Sequence, residues 1–139
     1  HLNNGRYLVF MDLGRVHLLG QVKLWRTLRK HHWFPVLAAV EINYIRPINP
    51  LQKFDLVTRL VAWDEKYFYI EQRFEVGRRL CASALVKGVF LARRVRVDNA
   101  EVLQAIAPGF APPEIPAMIR HWNELTDLKK KHTPISPDP

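Results

Sequence analysis

Polar and apolar positions change rhythm along this chain of 139 residues, and each change marks an element. After Asn4 the apolar residues Tyr7, Leu8, Met11, Leu18 and Leu19, with Arg15 among them, recur at steps of three and four. That is the period of one helix face. Asn3 or Asn4 can cap this helix, because an asparagine side chain accepts a hydrogen bond from a backbone N–H two or three residues on. Gly14 inside the helix costs about 1 kcal/mol relative to alanine, which makes sense if a sheet packs closely there. Gly20 is expected to break the run. A second helical piece, Val22 to His31, turns Val22, Trp25 and Leu28 inward and Lys23, Arg26, Arg29 and Lys30 outward.

Pro35 ends the helical part, and the rhythm becomes alternation. Four strands are predicted: Val36 to Arg46, Lys53 to Trp63, Tyr67 to Val76 and Cys81 to Arg93. In the first, Val36, Ala38, Val40, Ile42 and Tyr44 share a face. In the second, Phe54, Leu56, Leu60 and Ala62 oppose Asp55, Val57, Arg59 and Val61. In the third, Phe68, Ile70, Phe74 and Val76 oppose Tyr69, Glu71, Arg73 and Glu75. The fourth is apolar on both faces, which predicts a central strand. Asp64-Glu65-Lys66 and Gly77-Arg78-Arg79 read as hairpin turns, and Pro47-Ile48-Asn49-Pro50 as a loop. Asp98 or Asn99 then caps a short helix, Ala100 to Ala107, closed by Pro108-Gly109. An extended arm, Pro112 to Pro116, leads to a last helix from Ala117 to about Lys130 with Ile119, Trp122 and Leu125 as its apolar stripe.

Helix first, then hairpin-connected strands, is an α+β layout in one domain, residues 1–132, with a frayed tail at 133–139. The outer sheet face carries Val57, Val61, Tyr69 and Leu85 and needs cover from the second helix and C-terminal arm or from another subunit. Hydrophobic residues make up 48% of the chain, a globular value. No apolar run reaches the roughly 18 residues of a membrane span. The lone Cys81 forms no internal disulfide and reads as a buried small hydrophobe, which suits a reducing compartment and a cytoplasmic location.

The net charge of +8 favours anionic partners. The charges are spread, and no motif specific for nucleic acid occurs. The denser groups are Arg26-Arg29-Lys30, Arg93-Arg94-Arg96 and Lys129-Lys130-Lys131, a solvated basic surface or one that attracts a phosphorylated small molecule. The histidines lack metal-ligand spacing with carboxylates or cysteines, so no metal is expected.

Candidate chemistry gathers at the start, in His1-Leu2-Asn3-Asn4-Gly5-Arg6-Tyr7 followed by Asp12 and Arg15. A helix N-terminus exposes unpaired N–H groups with positive partial charge, a place that holds a carbonyl oxygen as it becomes an oxyanion. His1 could orient a substrate or assist proton transfer. Asn3 could hydrogen-bond a carbonyl, while Asn4 reads more readily as a cap. Asp12 is either a general base in a crevice or the ion-pair partner of Arg15, and the pair is favoured. Tyr7 reads as core more readily than as a contact. Tyr44-Ile45-Arg46-Pro47 ends a strand beside a loop, where the Arg46 guanidinium could meet a phosphate. Glu41, within an apolar strand, is a secondary general-base candidate.

This order of motifs resembles the hotdog-fold thioesterase superfamily, in its 4-hydroxybenzoyl-CoA-thioesterase-like branch. That branch opens with His-x-Asn-Asn-x-x-Tyr, matched by His1 to Tyr7, followed by an acid and an Arg, here Asp12 and Arg15. The stretch Phe54 to Phe74, and Pro112-Pro113-Glu114-Ile115-Pro116 with His121-Trp122, look like members of the same superfamily. The resemblance implies a central helix wrapped by a curved antiparallel sheet, with a C-terminal helical arm. It implies hydrolysis of an acyl-CoA thioester by carboxylate-activated water or carboxylate attack. His1, Asn3, Asn4 and Asp12 stand in the catalytic motif, and Gly5, Tyr7, Arg15, Tyr44 and Arg46 are the substrate contacts. It implies no cofactor beyond the coenzyme A of the substrate, and a homodimer or homotetramer with sites at the interface. The family's first strand and its catalytic acid precede the His and are expected upstream of this sequence. That absence motivates the competing reading, a non-catalytic acyl-binding module. A hydratase would want an Asp–His pair, of which only the His is apparent.

Overall fold

The alternating segments pair into one sheet. The computed structural model describes residues 1–21 and 24–132; Val22, Lys23 and the expected tail at 133–139 lie outside the described residues. In chain order the elements are α1 (Asn4–Gln21), α2 (Leu24–His31), β1 (Trp33–Tyr44), β2 (Asp55–Trp63), β3 (Phe68–Val76), β4 (Arg79–Ala92), β5 (Val95–Arg96), α3 (Asn99–Ile106) and α4 (Ala117–His132). The strands lie in the order β1-β4-β3-β2, antiparallel throughout. β5 pairs with Leu91 and Ala92 of β4, on the side opposite β1. The doubly apolar β4 is central, as its pattern predicts.

Two of the predicted boundaries change, for one reason each. β1 begins at Trp33 and runs through Pro35. An edge strand tolerates proline, since its missing N–H faces away from the ladder. Gly20 lies inside α1, and the helical part extends to His31. Trp25 is exposed rather than inward; Leu24 and Leu28, four apart, take the buried face of α2.

The sheet is curved by irregularities in its ladder. The register slips between Leu37 and Ala39, between Leu60 and Ala62, and between Phe74 and Glu75. An extra residue on one strand bends it and reverses which face later residues occupy. So Val40, Ile42 and Tyr44 face inward while Val36 faces outward with Val89, and Ala62 joins the outer face opposite Tyr69. This corrects the single-face assignments of the first two strands.

The inner face receives α1. Gln72, fully buried on β3, donates from Nε2 to the Met11 carbonyl at 2.9 Å and to Thr58 Oγ1 at 3.0 Å. Its Oε1 accepts from Arg15 Nη1 at 2.7 Å. Gly14 sits at this seat: an added Cβ would stand 2.7 Å from Thr58 Oγ1 and 2.9 Å from Leu56 Cδ2. Tyr7 and Met11 complete the core with Phe74, Ala82 and Val86. A second cluster, Leu24, Leu28, Trp33, Phe90, Val97 and Val102, ties α2 and α3 to one end of the sheet.

The outer face is covered by the C-terminal arm. Ile119 of α4 is buried against Ala62 and Tyr69, with Ile115 and Trp122 beside it. Buried Lys87, hidden within the apolar run of β4, lies 4.4 Å from the Trp122 ring and 5.5 Å from that of Tyr67. Cation–π contact and a Thr126 hydroxyl at 3.4 Å hold its charge. The Tyr69 hydroxyl donates to Asp64 Oδ2 at 2.6 Å and accepts from Asn123 Nδ2 at 3.0 Å. α2 packs toward the inner-face core instead.

Gly14→Ala tests the seat. The substitution gains about 1 kcal/mol of helix propensity and loses about 1–3 kcal/mol to overpacking against Thr58 and Leu56. A lower midpoint in thermal and denaturant melts is expected; a raised midpoint would mean that α1 does not sit on Gln72 and Thr58.

Candidate functional site

The mouth of α1 opens beside the loop after β1. Asn3 is the N-cap: its Oδ1 accepts the Arg6 N–H at 3.0 Å, and its carbonyl accepts from Arg6 at 3.1 Å and Tyr7 at 3.3 Å. Of the two asparagines read as possible caps, Asn3 closes the helix, because the residue just outside the first turn is the one whose side chain reaches back; its Nδ2 is left as the donor that a carbonyl oxygen would accept from. Asn4 is the first helical residue. The N–H groups of Asn4 and Gly5 have no acceptor among the described residues. No acid stands in the first turn, so the positive end of the helix dipole is uncompensated there.

The Leu2 N–H donates to the Ile48 carbonyl at 2.8 Å and pins the leading segment to the loop. Between them lies a cavity of about 260 Å³. His1 and Arg6 give it a basic rim; Leu2, Phe10, Ile48 and Phe54 give it apolar walls. Leu51 lines it too, fully exposed at a φ of 63°. A leucine in the left-handed region is costly, and no neighbouring residue signals it. Phe10 and Phe54 meet at 5.0 Å between ring centres; the strand pattern places Phe54 on the inner face, and the helix pattern does not single out Phe10.

The other sequence candidates divide between near and far. Tyr44, at the end of β1, meets the first turns of α1, while Arg46, just beyond it, is held against the start of β4. Tyr44 is exposed and rests against Tyr7 with 5.1 Å between ring centres. Arg46 donates to the Leu80 carbonyl at 3.0 Å, which braces the guanidinium in solvent. Tyr7, 2% exposed, is packed edge-on against Phe74 and Tyr44. Burial, then Cys81 and Tyr44, push its hydroxyl above the ordinary tyrosine range. It is core and has no surface to offer a substrate.

Asp12 and Arg15 form an ion pair, and Arg15 is shared with Gln72. Burial lowers Arg15 from its ordinary value, against the opposing pull of Asp12. The Asp12 side chain remains 68% exposed. Eight residues at 1.5 Å rise put Asp12 about 12 Å along the helix from the Asn4 N–H, so the two do not share one pocket within the chain. Glu41 is farther still. It stands on the outer sheet face in register with Leu85 and Glu71, accepts from Asn43 Nδ2 at 2.7 Å, and lines a groove of about 370 Å³ under α4.

A helix seated in a curved antiparallel sheet, with an amide-rich mouth at a small cavity, defines a hotdog-type α+β domain. Residues 1–123 match the model of the thioesterase-like superfamily, and the chain belongs to that family. Among curated proteins it is similar to Protein THEM6 of Xenopus laevis, 30% identical over 130 residues, covering 91% of this chain and 61% of that protein. It is also similar to a probable thioesterase of Saccharomyces cerevisiae, 31% identical over 108 residues, covering 75% of this chain and 46% of that one. The chain thus spans roughly half to three-fifths of these two relatives. Among solved structures it superposes on the probable thioesterase YbaW of Escherichia coli with a TM-score of 0.71 at 22% identity, covering 78% of this chain and 84% of that one. A Thermus thermophilus thioesterase crystallised with coenzyme A and zinc gives 0.63 at 23% identity, covering 80% and 84%. At these identities the structures share the fold. No helix among the described residues is long and apolar enough to cross a membrane.

Asn3→Ala removes the cap and is expected to cost about 1 kcal/mol, a drop of about 3 °C in melting temperature for a domain of this size. An unchanged melt would show that the Asn3 side chain does not close the first turn.

Proposed function

We propose that this chain hydrolyses an acyl-CoA thioester to the free acid and coenzyme A, with the carbonyl oxygen held at the mouth of α1. The observation that carries the reading is the pair of free N–H groups, Asn4 and Gly5, at the positive end of a helix that opens on a cavity. Water attacks the carbonyl carbon, the oxygen gains negative charge against those amides, the carbon–sulfur bond breaks, and the thiolate leaves to be protonated. Donors fixed before the reaction stabilise the developing charge without reorganising. The apolar walls, Leu2, Phe10, Ile48, Leu51 and Phe54, suit an acyl chain. Arg6 on the rim, with Arg46 beyond it after β1, supplies guanidinium groups that suit phosphates. The chemistry needs no metal or redox cofactor, coenzyme A being part of the substrate.

The mouth is lined by no carboxylate among the described residues. The water-activating base in this reading is therefore a carboxylate outside these 139 residues, or Asp12 of a second copy. A second copy is favoured by two surfaces. Among the described residues β1 pairs on one side only, leaving the other edge of a 12-residue strand open. Val9, Leu13 and Val16 make an exposed apolar stripe on α1. Self-pairing of β1 edges across a two-fold axis closes the first and covers the second. The same lack of a nearby base favours the second reading, an acyl-CoA-binding module without turnover. A cytoplasmic location stays part of the proposal.

Proline at the first helical position removes an N–H without disturbing the helix. Asn4→Pro is compared with Asn4→Ala, which removes the side chain alone, in thiol-release assays on a panel of acyl-CoA esters. Turnover in Asn4→Pro is expected to fall about 10²–10³-fold below Asn4→Ala; equal rates would overturn the oxyanion role of the mouth. Tight acyl-CoA binding with no release by the wild type would establish the binding module instead. In light scattering, Leu13→Glu is expected to shift the assembly toward monomer, and an unchanged mass would remove the stripe from the interface.

A further inference from the structure

The far end of α1 carries a second surface. The pairing of Trp33 with Ala92 brings the exit of α2, His31-His32, to about one strand spacing from the β4–β5 tip, Arg93-Arg94. Arg26, Arg29 and Lys30 are exposed on α2, and Arg96 lies in register with Leu91 and Phe34 across three strands. Six of the 21 Lys and Arg residues thus crowd one end of the sheet. The acids on adjoining elements are Asp98, 3.9 Å from Arg96, Glu101 on α3, and Asp64 and Glu65 in the β2–β3 turn, where the Asp64 carbonyl accepts from Asn99 Nδ2 at 2.8 Å. Among the described residues, Arg26, Arg29, Lys30, Arg93 and Arg94 have no carboxylate partner.

The backbone at this end is costly in an unusual way. Among the described residues four non-glycine positions have positive φ, and three of them are basic and lie here: His32 at 56°, Arg93 at 49° and Arg94 at 68°. A two-residue hairpin with both residues left-handed strongly prefers Asn-Gly. Arg-Arg gives up that preference and places two guanidinium groups side by side at the tip. Apolar side chains stand among the charges: Phe34 is 71% exposed, Val95 68% and Trp25 43%. Trp25 shares the exposed face of α2 with Arg29, one turn on.

We propose that this end, formed by α2, the Arg93-Arg94 tip and the start of β1, docks on an anionic phospholipid surface. Lys and Arg near such a surface are attracted by its phosphates and carboxylates, and exposed Trp, Phe and Val gain by entering the interfacial layer. A nucleic-acid backbone would satisfy the charges and give nothing to Val95 or Phe34. α1 separates this end from its own mouth by about 27 Å, from 18 residues at 1.5 Å. The proposal is independent of the thioesterase reading, and either can fail alone.

The test uses the 139-residue chain with vesicles of phosphatidylcholine alone or with about 30% phosphatidylserine, and a single-stranded RNA oligonucleotide. Arg93→Asn/Arg94→Gly restores the preferred turn while removing two charges. Wild type is expected to bind only the phosphatidylserine vesicles, less as salt rises. The double variant is expected to bind about 25-fold more weakly, about fivefold per charge, with a melting temperature equal to or above wild type. Arg29→Gln/Lys30→Gln, on the helical side, is expected to lose a similar factor, and Phe34→Ser to weaken binding that salt leaves behind. Equal binding to both vesicle types, undiminished binding by both charge variants, or tighter binding to RNA than to vesicles would overturn the proposal.

Discussion

One buried side chain decides where everything else stands. Gln72 reaches from the centre of the sheet to the Met11 carbonyl, Thr58 and Arg15. A buried amide left unpaired costs about 1–3 kcal/mol, so α1 is held in the one rotation and depth that satisfy it. Gly14 permits the approach, because any side chain there would collide with Thr58 and Leu56. With the helix fixed at this midpoint, its first turn is delivered to the loop after β1 and its last turn to the α2–α3 end. The mouth and the basic end are thus two consequences of one seat.

The layout was largely legible from periodicity, and the departures have local causes. The β2–β3 and β3–β4 hairpins follow from alternation bounded by turn residues, and the central place of β4 follows from its doubly apolar pattern. Pro35 misleads because an edge strand excuses its missing donor. Alternation carried past Ala38 and Val61 assigns the wrong face to Val36 and Ala62, since a bulge has no signature in side-chain polarity. Lys87 passes unnoticed inside an apolar run because aromatic rings, rather than a carboxylate, hold its charge. The three-residue steps Val22, Trp25 and Leu28 place Trp25 inward, whereas Leu24 and Leu28, four apart, take the buried face.

The site was legible in part. The segment His1 to Arg6 does gather at a helix start, and Tyr44 rests on Tyr7 beside it, while Arg46 is held on the Leu80 carbonyl. The division of labour between Asn3 and Asn4 was not legible, because it turns on which residue is the last non-helical one. Nor was the distance of Asp12 from the mouth, which follows from helix rise only once the helix start is known. Gln72 fits the inward row of β3 by alternation, yet a polar residue in such a row carries no sign of its partners. Leu51 owes its place to a backbone conformation that no neighbouring residue announces.

The molecule thereby separates chemistry from attachment. One end presents unpaired amides, a small apolar cavity and a modest basic rim. The other presents a dense basic surface with exposed apolar side chains. The central claim is that the Asn4 and Gly5 amides receive a substrate oxygen. The most direct measurement is an amide NMR titration with an acyl-CoA analogue in which a methylene replaces the sulfur and the carbonyl is kept. The account expects the Asn4 and Gly5 N–H resonances to move downfield with the largest shifts in the chain. Unmoved resonances at those two positions, with the shifts gathered in the outer groove around Glu41 and Trp122, would contradict it.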